Sequence, residues 1–273
     1  MIQGTSMKTG TAAGLKRSIV TVALLALSLS AGAAQAATCG NNGAGFENWK
    51  AEFANQARAA GVKGKGLSAL AGAKYATGTI KVDRAIGKAF SGSVDSFMQR
   101  RGSATIISKG RTLKKQNAAL FNQIERQYGV PPGVLLAIWG METGFGSYMG
   151  KQNTVSAILT LAYDCRRPEF FTPHAIAALQ LVDRGALGVG SVGAMHGEIG
   201  HTQFLPGNVI KYGVGNLDLT NRETALHSTA NFLRGHGWKP GASYDANMGA
   251  IAGWNAAKIY QQAIAIMARE IDK

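Results

Sequence analysis

Nowhere does this chain alternate apolar and polar residues over the length of a strand, which argues against a sheet with one wet face. Cysteine is nearly absent: Cys39 and Cys165 are the only two, too few for a disulfide framework, and neither stands in a Cys-x-x-Cys or zinc-ligand spacing. In an oxidising compartment the two can pair or stay apart, and nothing in the sequence brings them together. The histidines, His174, His196, His201, His227 and His236, have no metal-ligand spacing and read as structural or solvated. Carboxylates are few, 15 against 29 Lys and Arg. The longest early apolar run, residues 19–27, is too short to span a bilayer.

That run follows Lys8, Lys16 and Arg17, precedes the small-x-small site Ala34-Gln35-Ala36, and belongs to a stretch without any acid. The pattern reads as a secretory signal peptide over residues 1–36, with a retained signal anchor as the alternative. Cys39 follows Thr38 rather than the small residue that a lipoprotein cleavage site needs. The expectation is therefore a periplasmic or secreted protein without a stable membrane anchor. Cleavage would remove three cations, lower the formal charge from +14 to +11, and leave 237 of the 273 residues. That length suits one domain or two closely packed subdomains. The excess base is spread out, with pairs at Arg100-Arg101, Lys114-Lys115 and Arg166-Arg167. No helix-turn-helix, zinc or RNA-recognition signature accompanies it, so no nucleic-acid partner is expected, and an anionic wall polymer or lipid headgroup fits an exported chain better.

What is present centres on residues 131–146. Pro131 and Pro132 suit the first turn of a helix, and Gly144 and Gly146 suit its end. Between them Val134, Leu135, Leu136, Ala137, Ile138, Trp139 and Met141 leave no polar face, so the helix is expected to be enclosed, with Glu142 near its end in partly dry surroundings. Desolvation and the negative end of the helix dipole both favour the protonated carboxyl, which is how a general acid is prepared. The alternative is a solvated glutamate, electrostatically misplaced at a helix end.

Around this stretch the periodicity predicts further helices. One starts at Phe46 and carries Trp49, Phe53 and Ala57 on one face; a single amphipathic helix spans 108–128 with Leu113, Leu120, Ile124 and Tyr128 inside. Others cover 154–163, 170–183, with Thr172-Pro173 as its cap, and 220–234, before a last one marked by Trp254, Ala257, Tyr260, Ile264 and Met267. Residues 37–45 read as a flexible lead-in. Residues 185–200 contain six glycines and read either as an ordinary loop or as backbone that approaches an extended ligand. The expected fold class is mainly α with one small β-hairpin near that loop.

Four stretches, 128–132, 137–146, 200–206 and 235–238, occur in an order and spacing that resembles the lytic murein transglycosylases of the B type, a lysozyme-like family. Weaker similarity runs from Phe46 to the end. The resemblance implies one transglycosylase domain over 46–273, with an accessory helical part over 46–107 and a lysozyme-like catalytic core over 108–273. It implies an enzyme that cleaves the β-1,4 bond between N-acetylmuramic acid and N-acetylglucosamine without water, giving 1,6-anhydromuramyl products. Glu142 would be the single catalytic acid and base, Gln203 would line the saccharide cleft, and Trp254, Asn255 and Tyr260 would supply an aromatic platform and an orienting amide. The partner would be peptidoglycan glycan strands, met by a monomer. Relatives often carry a serine at Ala194, a tyrosine at Phe97 and Ser-Ser at 207–208, so this chain lacks those hydroxyls. Residues 213–218 lack the acidic calcium-loop pattern of some relatives, so no metal and no cofactor are expected. Two other readings stay open: a hydrolytic muramidase in which Glu198, otherwise a solvated loop residue, or another acid directs water, and a catalytically weak wall-binding or secretion-associated scaffold.

Overall fold

A computed structural model describes residues 37–85 and 90–273. The expected signal peptide, residues 1–36, lies outside the described residues, as does Ile86. The described residues are mainly α, with thirteen α-helices and one two-stranded antiparallel sheet.

The enclosed helix is α7, Pro132–Thr143. Pro131 caps it in extended conformation, Pro132 opens it, and Gly144 closes it at φ 58°, a left-handed value that glycine takes without strain. Its apolar surface is covered on several sides by α5 (Ser103–Gln116), α6 (Ala118–Tyr128), α11 (Arg222–Gly235) and α13 (Lys258–Asp272). Close approach depends on Gly133, where a Cβ would stand 2.4 Å from the Ala268 carbonyl oxygen of α13. Fixed on these faces, α7 presents Glu142 one residue before its end.

The expected helix over 108–128 is two helices. At Asn117 the backbone leaves helical geometry (φ −119°, ψ 32°), and the side-chain Nδ2 donates to the Leu113 carbonyl at 2.9 Å. The bend serves burial: α5 packs on α7 and α13 while α6 packs on α11 and α7, which one straight helix could not reach together. The expected start at Thr172-Pro173 is also corrected. Helix α9 runs Pro168–Asp183, because Pro168 already holds the first turn, where a missing N–H is harmless, and Pro173 lies inside the helix. Helix α11 starts later than the periodicity suggested, at Arg222, where Asn221 Oδ1 accepts from the Thr224 N–H at 3.0 Å.

The small sheet pairs β1, Gln152–Asn153, with β2, Val192–Gly193. Helices α8 (Thr154–Tyr163) and α9 separate the two strands, so it is not the expected hairpin of chain neighbours. Strands of two residues are too short to show alternation. Beside the sheet a single antiparallel bridge joins Ile199 and Phe204.

The lead-in is anchored. Cys39 and Cys165 form a disulfide, and the Gly40 N–H donates to the Tyr163 carbonyl at 3.0 Å. Helix α1 (Phe46–Ala59) then sets Phe46 and Trp49 against Tyr163. Helix α2 (Gly64–Gly72) packs on α9, whose Asp183 accepts from the Lys63 and Gly66 N–H groups at 2.5 and 2.7 Å. A carboxylate borrowed from another helix thus caps α2, whose own N-terminal residue has no side-chain acceptor. Helix α3 (Thr77–Ala85) is held to the turn after α8 by crossed ion pairs: Asp83 with Arg166 and Arg167, and Arg84 with Asp164 at 3.2 Å.

Candidate functional site

Glu142 opens into a cleft of about 250 Å³ that Gln203, Trp254, Asn255 and Glu198 also line. It is half-buried. Helix α12 (Met248–Trp254) ends and α13 begins against it, so Trp254 and Tyr260 arrive from two helix termini. Tyr260, 3% exposed, donates its hydroxyl to Glu142 Oε1 at 2.6 Å, and the Trp254 Nε1–H donates to the same oxygen at 3.2 Å. Oε2 is left for the proton and for the cleft. Burial raises the carboxyl from 4.5 to about 7, against the opposing pull of the two donors, while the charge of Glu198 adds to the rise and Arg101 subtracts from it. Burial and the neighbouring carboxylate push the Tyr260 phenol well above its ordinary value, so it remains a donor.

Gln203 stands at φ 59°, an uncommon conformation for a residue with a side chain. Its amide nitrogen donates to the Gly200 and Met149 carbonyls at 2.6 and 3.4 Å, which assigns the nitrogen end inward and leaves Oε1 for the cleft. Asn255 is oriented the other way. Its Oδ1 accepts from the Ala257 N–H at 3.0 Å, leaving Nδ2 for the cleft. Trp254 differs from a bare platform, since Phe204 and Phe232 meet its ring edge to face at centroid distances of 5.1 and 5.0 Å while its N–H holds Glu142.

The segment carrying Gln203 is tied back to α7. Thr143 donates its hydroxyl to the His201 carbonyl at 2.7 Å, and Trp139 donates its indole N–H to His201 Nδ1 at 3.1 Å. His201 is thereby structural, as the spacing suggested. Ala194 lines the cleft, whereas Phe97 is fully buried.

Glu198 is not the solvated loop residue that its glycine-rich setting allowed. Its Oε2 accepts from the His196 N–H at 3.1 Å, and the His196 ring reaches Asp83, 2% exposed, behind it. Sequence reasoning passed over Asp83 and read His196 only as structural or solvated. The signal available for Asp83 was its place three residues after Ile80 on one helical face.

Residues 45–248 match the family described as the transglycosylase SLT domain. The chain belongs to this family. Among curated transglycosylases, the membrane-bound lytic murein transglycosylase B of Escherichia coli K12 is 30% identical over 142 residues, which cover 50% of this chain and 39% of that protein. The chain thus matches well under half the length of that curated relative. Among solved lytic transglycosylases, SltB3 from Pseudomonas aeruginosa in complex with NAG-anhNAM-pentapeptide superposes with a TM-score of 0.75 at 24% identity, covering 83% of this chain and 79% of that one. Slt35 from Escherichia coli, in complex with calcium, gives 0.72 at 19% identity over 86% and 96%. At these identities the superpositions establish the lysozyme-like fold of the transglycosylase domain.

Proposed function

We propose that this transglycosylase-domain protein cleaves peptidoglycan glycan strands at the bond between N-acetylmuramic acid and N-acetylglucosamine, with Glu142 as the single acid and base. One observation carries the reading: a half-buried carboxyl that lines the cleft, raised to about 7, with both donors on the same oxygen. At pH 7 an ordinary glutamate is protonated about one time in 300. Glu142 is protonated about half the time. It can therefore give a proton to the glycosidic oxygen and then act as a useful base.

In the proposed reaction, Oε2–H protonates the leaving oxygen while the muramyl N-acetyl oxygen closes on C1. The Glu142 carboxylate then takes the proton of the muramyl C6 hydroxyl as that oxygen attacks C1, giving a 1,6-anhydro ring without consuming water. Tyr260 and Trp254 hold the carboxyl at fixed orientation and stabilise its ionised phase. Gln203 Oε1 and Asn255 Nδ2 offer an acceptor and a donor to sugar hydroxyl and amide groups. The signal-like sequence of residues 1–36 and the Cys39–Cys165 disulfide support action in an oxidising exported compartment such as the periplasm.

Glu198 on the same cleft keeps a hydrolytic muramidase as the second reading, since hydrolysis needs a further acid to direct water. The test is mass spectrometry of soluble products from purified peptidoglycan incubated with the protein and with Glu142→Gln. Anhydromuropeptides from the parent alone support the transglycosylase. Reducing-end muropeptides would establish hydrolysis instead.

A further inference from the structure

Glu198 has no part in the reaction as written, yet it is built into the cleft with unusual care. Its Oε2 accepts the His196 N–H, its own backbone N–H also draws on the carboxylate, and its Oε1 lies 3.6 Å from His196 Nδ1, beyond hydrogen-bond range. On the other side of the ring, Nε2 lies 3.3 Å from Asp83 Oδ1 without the angle of a hydrogen bond. Asp83 in turn is fixed by Arg166 at 2.6 Å and by Arg167, both in the turn that follows the disulfide. The His196 ring is therefore held by packing between a buried, anchored carboxylate and one that lines the cleft, while its backbone N–H makes the hydrogen bond to Glu198. Burial raises the Glu198 carboxyl, with His196 first among the groups that draw it back down.

We infer that Glu198 is a second catalytic carboxylate, accepting the N–H of the muramyl N-acetyl group, and that His196, anchored on Asp83, is its positioning residue. The inference rests on the transglycosylase reading. When Glu142 protonates the glycosidic oxygen and the C1–O bond breaks, the acetamido oxygen bonds to C1, and the resulting five-membered ring carries positive charge at a nitrogen that keeps its proton. A carboxylate accepting that N–H gains most where the charge has grown, so it favours the transition state over the bound substrate. Attack by the C6 oxygen then breaks the bond between C1 and the acetamido oxygen, and the hydroxyl proton passes to Glu142. In this cycle Glu198 exchanges no proton with the substrate.

The test compares the parent with Glu198→Gln and His196→Gln, both nearly isosteric. Three quantities are measured: the rate and identity of products released from peptidoglycan, wall binding, and affinity for a muramyl thiazoline whose ring nitrogen mimics the charged intermediate. Glu198→Gln should slow anhydromuropeptide release about 100-fold and weaken the thiazoline by at least about tenfold, because Gln still accepts the N–H but carries no charge. Wall binding should stay within about threefold, and His196→Gln should lower kcat with little change in KM. Parental rate and thiazoline affinity in Glu198→Gln would overturn the inference. Selective loss of reducing-end products in that variant would overturn it too, making Glu198 a base for water. A parent that releases no anhydromuropeptide fails the underlying reading instead, while thiazoline affinity, which needs no turnover, still decides the Glu198 contact.

Discussion

Replacing Glu142 by Gln should make the protein more stable, and only at higher pH. The folded chain holds the Glu142 proton up to about pH 7, whereas the unfolded chain releases it near 4.5. Between those values the folded state binds more protons, so stability falls as pH rises across the window, and the full penalty is present above it. The difference between 4.5 and about 7 corresponds to about 3.4 kcal/mol, which we reduce to about 2 kcal/mol because the half-buried carboxyl lines an open cleft. Gln keeps an oxygen for the Tyr260 and Trp254 donors and adds no charge. Thermal unfolding with the disulfide intact should therefore show Glu142→Gln melting about 5 °C above the parent at pH 8 and level with it at pH 4. No gain at pH 8, or an equal gain at both pH values, would refute the claim that burial of a charge at this position is what raises the carboxyl.

The same raised carboxyl predicts that kcat/KM falls about tenfold per pH unit above about pH 7, measured by turbidity loss of purified walls. Tyr260→Phe removes a donor that favours the ionised form, so the alkaline limb should move upward in pH while the rate drops about tenfold. Replacing Cys39 and Cys165 together by Ser opens a cross-link between residues 126 apart and should cost about 3–5 kcal/mol, read as a lower melting temperature that reductant no longer changes. Ile138→Ala, at a position with no exposure in α7, should cost about 3 kcal/mol in denaturant unfolding.

Legibility followed the range of the interactions. The enclosed helix could be read because seven consecutive or near-consecutive apolar side chains leave no wet face, and the proline and glycine punctuation bounded it nearly to the residue. Helix α8 was equally plain, as every residue from Thr154 to Tyr163 is buried. The break at Asn117 was not, since Leu113, Leu120 and Ile124 keep a helical spacing across it. What divides α5 from α6 is that their apolar faces have different partners, a property of the packing rather than of either segment. Pro173 misled in the same way, as an accepted interior proline looks like a boundary when its neighbours alone are read.

At the site, the sequence by itself determined that a carboxylate ends an apolar helix and that Gln203, Trp254, Asn255 and Tyr260 are worth watching. Only the tertiary structure decided which atoms meet. It put Trp254 and Tyr260 on the same oxygen of Glu142, more than a hundred residues away in the chain, turned the amides of Gln203 and Asn255 in opposite senses, and carried Asp83 beneath His196 and Glu198. Local pattern fixes burial, because burial follows from which side chains share a face. Proton affinity and orientation depend on distances of a few ångströms between segments far apart in the chain, and those exist only once the helices have packed.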